Sequence, residues 1–305
     1  MIAPYDHEAL WTKAKVFLNR AMDPNSGRAF DEQALWASAA LELLGKSALA
    51  RVSPSLIAEP TEDGVNILIA TGLIQGTAKF SSVRASTIFK RCGRAFRPFN
   101  AVDAQKFADA RNEYLHGSGI PIVAMPPEAW WPRFWALASI LVTAQDREIE
   151  DLVGSDRSTI VESHLAQNAK NVEHRTEALI ERAKQRLIQY RAGTLPAKVQ
   201  MEWNADLDLK AGLTYTESEI CPACGATGTL EGENVLETDY NSESGDSEED
   251  PGSFWAELTV GVDYFSCPTC HLVLDRFELT EQAGLSDTIL AIDDDPEPEA
   301  DYGND

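Results

Sequence analysis

The sequence predicts a mainly α-helical protein with a small β-rich module near its C-terminal end, and three observations carry that prediction. Between residues 5 and 152, apolar side chains recur at three- and four-residue spacing, the period of helices buried on one side. From 155 onward a long polar run keeps only sparse apolar positions at roughly heptad spacing. Beyond it two Cys-x2-Cys pairs, Cys221/Cys224 and Cys267/Cys270, are flanked by alternating, strand-like sequence. The implied segments are a helical domain over 1–154, a long connecting helix over 155–197, a cysteine module over 198–285 and an acidic disordered tail over 286–305. An acidic low-complexity insert at 237–252 separates the two cysteine pairs and reads as a loop.

A chain of 305 residues with 44% hydrophobic content is long enough to bury a substantial core. It contains no run of about 18 or more apolar residues, so a membrane partner is not expected. The residues after Met1 do not read as a signal peptide, and the cysteine pairs suit a reducing compartment, so the expectation is cytoplasmic. The net charge of −23 is unevenly placed: residues 211–305 hold 24 of the 49 acids and a single base, Arg276. Between Asp63 and Asp103 there is no carboxylate, only the basic run Lys79, Arg84, Lys90, Arg91, Arg94 and Arg97. A solvated helix face is the plain reading of such a run; a groove for RNA is the functional one.

In chain order, the first helix is expected over 5–22, with Asp6 as its cap. The second, over 29–52, is apolar nearly all round and should form the buried centre of a bundle, ending at Ser53-Pro54. A short helix or buried segment covers 63–75, and another helix covers 81–96. The next starts after Asn100, an N-cap residue type, and stops at Gly117 and Gly119. A Trp-rich helix follows over 127–152, whose Trp130, Trp131, Phe134 and Trp135 suit core or dimer-interface packing. Residues 198–216 turn towards strand-like alternation.

The helix after Asn100 ends in Arg111-Asn112-Glu113-Tyr114-Leu115-His116-Gly117. On a helical wheel Ala104, Phe107, Ala108 and Leu115 form one apolar stripe with Arg111 in its middle, while Asn112 and His116 share a shoulder. A guanidinium on a burying face requires a polar or anionic partner. This string, an Arg followed by Asn and then His five residues after the Arg, resembles the signature of the HEPN superfamily of small helical domains. The Phe30–Arg51 helix resembles an early helix of the same superfamily, so the resemblance covers roughly residues 1–155. A second match to the loose spacing, Arg157 with His164, lacks the Asn and the glycine stop and reads as coincidence.

The resemblance implies a HEPN-like helical bundle acting as a metal-independent endoribonuclease, with its site formed where two copies of the motif meet in a homodimer. Arg111, Asn112 and His116 are then the catalytic residues, in a toxin or anti-phage defence setting, with a regulatory protein as a further partner. The chemistry is reasonable for these residue types: imidazole titrates near neutrality and can move the 2′-OH proton, and arginine can grip phosphate oxygens. One toxin–antitoxin branch carries a modified Tyr two residues after the His; Ser118 stands there, so that regulation does not transfer. A non-catalytic HEPN adaptor, with Arg111 as a structural ion-pair partner, is the alternative.

The cysteine pairs resemble a zinc ribbon, in which each Cys-x2-Cys knuckle points two thiolates at one ion. Cys221, Cys224, Cys267 and Cys270 would complete a tetrahedral Zn2+ site, one per chain, and four protein ligands leave no open position, so its role would be structural. His271 adjoins the set without being required by it, and Cys92 reads as a packed thiol.

Overall fold

A computed structural model describes residues 5–75, 81–205, 208–243, 253–294 and 296, and divides into one unit up to Ala169 and another from Lys170. The first contains α1 (His7–Ala21), α2 (Phe30–Val52), α3 (Val65–Ala70), α4 (Ala85–Ala95), α5 (Ala101–His116), α6 (Pro127–Thr143), α7 (Ile149–Val153) and the start of α8 (Ser155–Arg191). Two caps form as the sequence implies. Asp6 accepts from the Ala9 amide at 2.8 Å, and Asn100 accepts from the Asp103 amide at 2.9 Å.

The nearly all-apolar α2 is the centre of this unit and packs on α1, α4, α5 and α6. Leu41, Leu44 and Leu49 are fully enclosed, each stabilising the fold by about 1.5–3 kcal/mol. At Gly45 the backbone of α2 meets α4 directly: an added Cβ would lie 2.9 Å from Ile88 Cγ2 and 3.3 Å from Cys92 Sγ. The Cys92 thiol points at the Gly45 carbonyl, 3.7 Å away, and burial pushes its pKa up to about 12. It is a packed thiol, as its surroundings in sequence suggest.

Trp130, Trp131, Phe134 and Trp135 are buried. Trp130 stacks on Phe134 with ring centroids 5.2 Å apart and meets Phe107 of α5 edge-on at 5.0 Å. These rings are therefore packed in the core of this unit. The Arg157/His164 pair is likewise structural: Arg157 bonds Asn19 Oδ1 at 2.5 Å, and His164 stacks on Trp131. No described helix is long and apolar enough to cross a membrane.

The second unit contains the rest of α8, α9 (Ala197–Asn204), α10 (Phe277–Gln282) and an antiparallel sheet. Its strands are β1 (Tyr215–Ile220), β2 (Thr227–Glu243), β3 (Ser253–Cys267), β4 (Leu272–Leu274) and β5 (Thr288–Asp293), in the order β1-β2-β3-β4 with β5 also paired to β3. Three expectations are corrected here. The strand-like stretch from 198 opens as helix α9: Trp203 is buried and Val199, one turn earlier, half-buried, whereas Met201 between them is 75% exposed. The acidic insert is strand as far as Glu243, because β2 pairs with β3 from Glu237↔Thr259 to Glu243↔Ser253; residues 244–252 lie outside the described residues. The expected tail contains β5, where the T-I-L-A-I alternation buries Ile289 opposite Val260 despite the acids that follow; 295 and 297–305 lie outside the described residues.

The Gly45 contact generates the first expected outcome. Gly45→Val should separate α2 from α4 and lower stability by about 1–3 kcal/mol, seen as a lower urea midpoint. An unchanged midpoint would show that Ile88 and Cys92 yield without loss.

Candidate functional site

Arg111 lies on the inward side of α5 with its side chain 14% exposed, and its partner is a carboxylate on α2. Arg111 Nη1 donates to Glu42 Oε2 at 2.7 Å, while Lys46 Nζ, one helical turn from Glu42, donates to Glu42 Oε1 at 2.6 Å. The other edge of the guanidinium faces Asn112: Nε and Nη2 approach Asn112 Oδ1 at 3.3 and 3.1 Å. Burial alone would raise the Glu42 pKa. The Lys46 charge and hydrogen bond, then those of Arg111, outweigh it and hold the carboxyl below its ordinary range. Two cations thus share this one carboxylate.

Asn112 and His116 are exposed and line one open hollow of about 480 Å3 with Asp109, Glu113 and Gly117. The shoulder expected from the wheel is therefore a real surface, with Arg111 joined to it through Asn112. Glu113 turns its carboxylate back over the helix end and accepts from the Gly119 amide at 3.1 Å. A Cβ at Gly117 would fall 2.1 Å from that carboxylate, so Glu113 would have to move to admit one. Tyr114 ties α5 to the start of α2 by donating to Asp31 Oδ2 at 2.8 Å, and this bond raises the phenol's pKa. Leu115 departs from the expected buried stripe: it is 52% exposed, because the end of α5 runs past the core.

The basic run is divided by α4. Ile88, Phe89 and Cys92 turn inward, which leaves Arg84, Lys90 and Arg94 exposed. Arg91 donates to the Leu56 carbonyl and Arg97 is half-buried, so these two do not belong to an open basic surface. Lys79 lies outside the described residues.

The four cysteines converge. Cys221 and Cys270 sulfurs are 3.5 Å apart, Cys224 and Cys267 sulfurs 3.6 Å apart, and all four lie within 4.8 Å of one another. Tetrahedral ligation with metal–sulfur bonds of about 2.3 Å requires sulfur separations of about 3.8 Å, so the set fits a metal ion such as zinc. The two knuckles share one backbone solution. The Gly225 amide returns to the Cys221 carbonyl at 3.0 Å and the His271 amide to the Cys267 carbonyl at 2.9 Å. Both residues take left-handed φ, +72° at Gly225 and +57° at His271. Hydrogen bonds from Cys221 and then Cys270 hold the Cys267 thiol far below its usual range, whereas Cys221, Cys267 and burial push Cys270 far above it. Four sulfurs this close can all ionise only around a cation. The His271 ring stacks on Trp203 at 4.1 Å, and Trp203 stacks in turn on Tyr190 at 5.2 Å.

Glu42 and Lys46 are the residues that motif reading passes over. Their signal lies in the sequence all the same: two charges four apart in the apolar middle of a helix whose other charges, Asp31, Glu32 and Arg51, lie at its ends require buried partners. No protein-family model, curated protein or solved structure matches the chain.

Two outcomes are expected from the Glu42 cluster. Arg111→Ala should lower the stability of the helical unit by about 1–3 kcal/mol, since Lys46 still neutralises Glu42. Because the folded pKa of Glu42 lies below the unfolded value of about 4.3, its contribution is complete above that value and lost as pH falls through the folded pKa. The stability difference between wild type and Glu42→Gln, measured by urea unfolding, should therefore shrink on acidification below about pH 4.3. A difference constant from neutral to acid pH would show that the ionised carboxylate is not what stabilises the cluster.

Proposed function

We propose that the first unit is a HEPN-type, metal-independent endoribonuclease whose site is completed by a second copy of the chain. The observation that carries this reading is the row Arg111–Asn112–His116: a cation fixed from behind by Glu42, an amide held on its outer edge, and an exposed imidazole on the same open hollow. Arg111 turns one guanidinium edge towards Asn112 on this hollow and is the cation that would meet a phosphate there, against the Asp109 and Glu113 carboxylates that share the lining. Exposed Arg84, Lys90 and Arg94 would track the RNA backbone and make binding salt-dependent. Leu115 and Ile120, 52% and 66% exposed on either side of His116 and the glycine loop, supply apolar surface for a homodimer at this end of α5.

In this reaction one His116 takes the proton from the ribose 2′-OH as its oxygen attacks the phosphorus. The bond to the 5′ oxygen breaks, and His116 of the partner subunit protonates that leaving oxygen. The products are a 2′,3′-cyclic phosphate and a 5′-hydroxyl. Arg111 and Asn112 stabilise the charge on the non-bridging oxygens. In the second unit the cysteine cluster would hold one Zn2+ per chain through Cys221, Cys224, Cys267 and Cys270, with a structural role because four protein sulfurs fill a tetrahedral shell.

A second reading is favoured by one specific contact. The Arg111–Glu42 pair is what a non-catalytic adaptor would need if Arg111 served only to join α5 to α2. His116 discriminates between the readings because its side chain is exposed. His116→Ala should leave stability within about 0.5 kcal/mol and reduce RNA cleavage in the presence of EDTA by about 10²–10⁴-fold. Wild-type protein that cuts no RNA while folded and dimeric, or cleavage unaffected by His116→Ala, would decide for the adaptor. Metal analysis should find one zinc per chain, released in Cys267→Ser; a folded, zinc-loaded Cys267→Ser protein would reject the assigned ligand set.

A further inference from the structure

A second cavity opens on a different side of α5, away from Asn112 and His116. It occupies about 260 Å3 between α5, the loop around Pro121 and α6. Phe107 and Trp130 form its floor, and Ile122 and Met125 close the loop side. Ala110 is small enough to leave the space open. Interiors are close-packed, so an apolar hollow of this size opening at the surface is uncommon where nothing occupies it. The rim carries charge. Asp103 neutralises Lys106 at 2.6 Å, but Arg133, also on the rim and exposed, has no ion pair or hydrogen bond among the described residues.

We infer that this cavity binds a small monoanionic molecule with a planar apolar body, the body resting on Phe107 and Trp130 and the anion meeting Arg133. The volume lies just under the usual range for ligand pockets, about 300–1,000 Å3, which limits the body to one compact ring system. Arg133, the lining cation without a partner among the described residues, sets the ligand charge at one. The flexible Met125 thioether lets the wall adapt to the ring. This site is independent of the nuclease reading, because its α5 residues Lys106, Phe107 and Ala110 turn to a different side of the helix from Asn112 and His116.

The test uses naphthalene-2-sulfonate, a planar aromatic monoanion of one fused ring system, titrated calorimetrically into the full-length folded protein. One saturable site per chain is expected. Ala110→Leu, which fills the cavity, should weaken binding by at least tenfold. Arg133→Ala should weaken it about tenfold and Arg133→Lys by less than threefold, both with unchanged thermal midpoints because Arg133 is unpartnered. Naphthalene-2-sulfonamide, the neutral counterpart, should bind more weakly and be indifferent to Arg133→Ala. His116→Ala should leave the titration unchanged even if it abolishes RNA cleavage, which keeps the two proposals separable. Binding unaffected by Ala110→Leu, or equal affinity for the neutral and anionic probes, would overturn the assignment.

Discussion

The helical unit depends on how one carboxylate is shared. Glu42 sits on the helix that every major neighbour packs against, and it accepts from Lys46 on its own helix and from Arg111 on α5. A buried ion cluster is a weak source of net stability, because the desolvation of three charges opposes their attraction. Its strength is positional. With Glu42 ionised, Arg111 has one orientation that satisfies it, and that orientation aims the remaining guanidinium edge at Asn112 and the surface. Phe107 and Ala108 complete the attachment of α5 to the core, so the end of the helix carrying His116 extends from a well-fixed base.

The second unit reaches order by a different route. Its sheet is carried by two long strands, and its cysteine end is built from two knuckles with the same hydrogen bond and the same left-handed residue after the second cysteine. Acidic side chains dominate its sequence, yet the strands form because alternate residues still face inward: Ala256, Leu258 and Val260 are buried in β3, and Ile289 is buried in β5.

The helices were legible because period and punctuation agreed. Asp6 and Asn100 cap as their types imply, and Ser53-Pro54 stops α2. The cysteine cluster was legible for the same reason, since ligand type and spacing leave few alternatives. Composition misled where it was given more weight than pattern. Residues 237–243 look like solvated acidic chain by count and 288–293 lead into one, but both pair in register with β3, whose Ala256, Leu258 and Val260 are buried. Val199 and Trp203 are four apart, a spacing that suits both a strand face and a helix face, and only the exposure of Met201 distinguishes the two. At the candidate site the motif residues could be read locally. The partner that orients Arg111 lies 69 positions away on another helix, beyond any spacing rule.

The stacking of His271 on Trp203 has a consequence for how this protein can be observed. His271 occupies a left-handed backbone position that glycine fills in the other knuckle, so glycine would satisfy the turn; the imidazole adds a ring contact that the turn does not require. That contact couples the loop bearing Cys267 and Cys270 to an indole whose emission responds to its neighbours. With the chain's other six tryptophans replaced by phenylalanine, Trp203 would be an optical gauge embedded beside the sulfur cluster, able to register whether the knuckle is closed without any label attached.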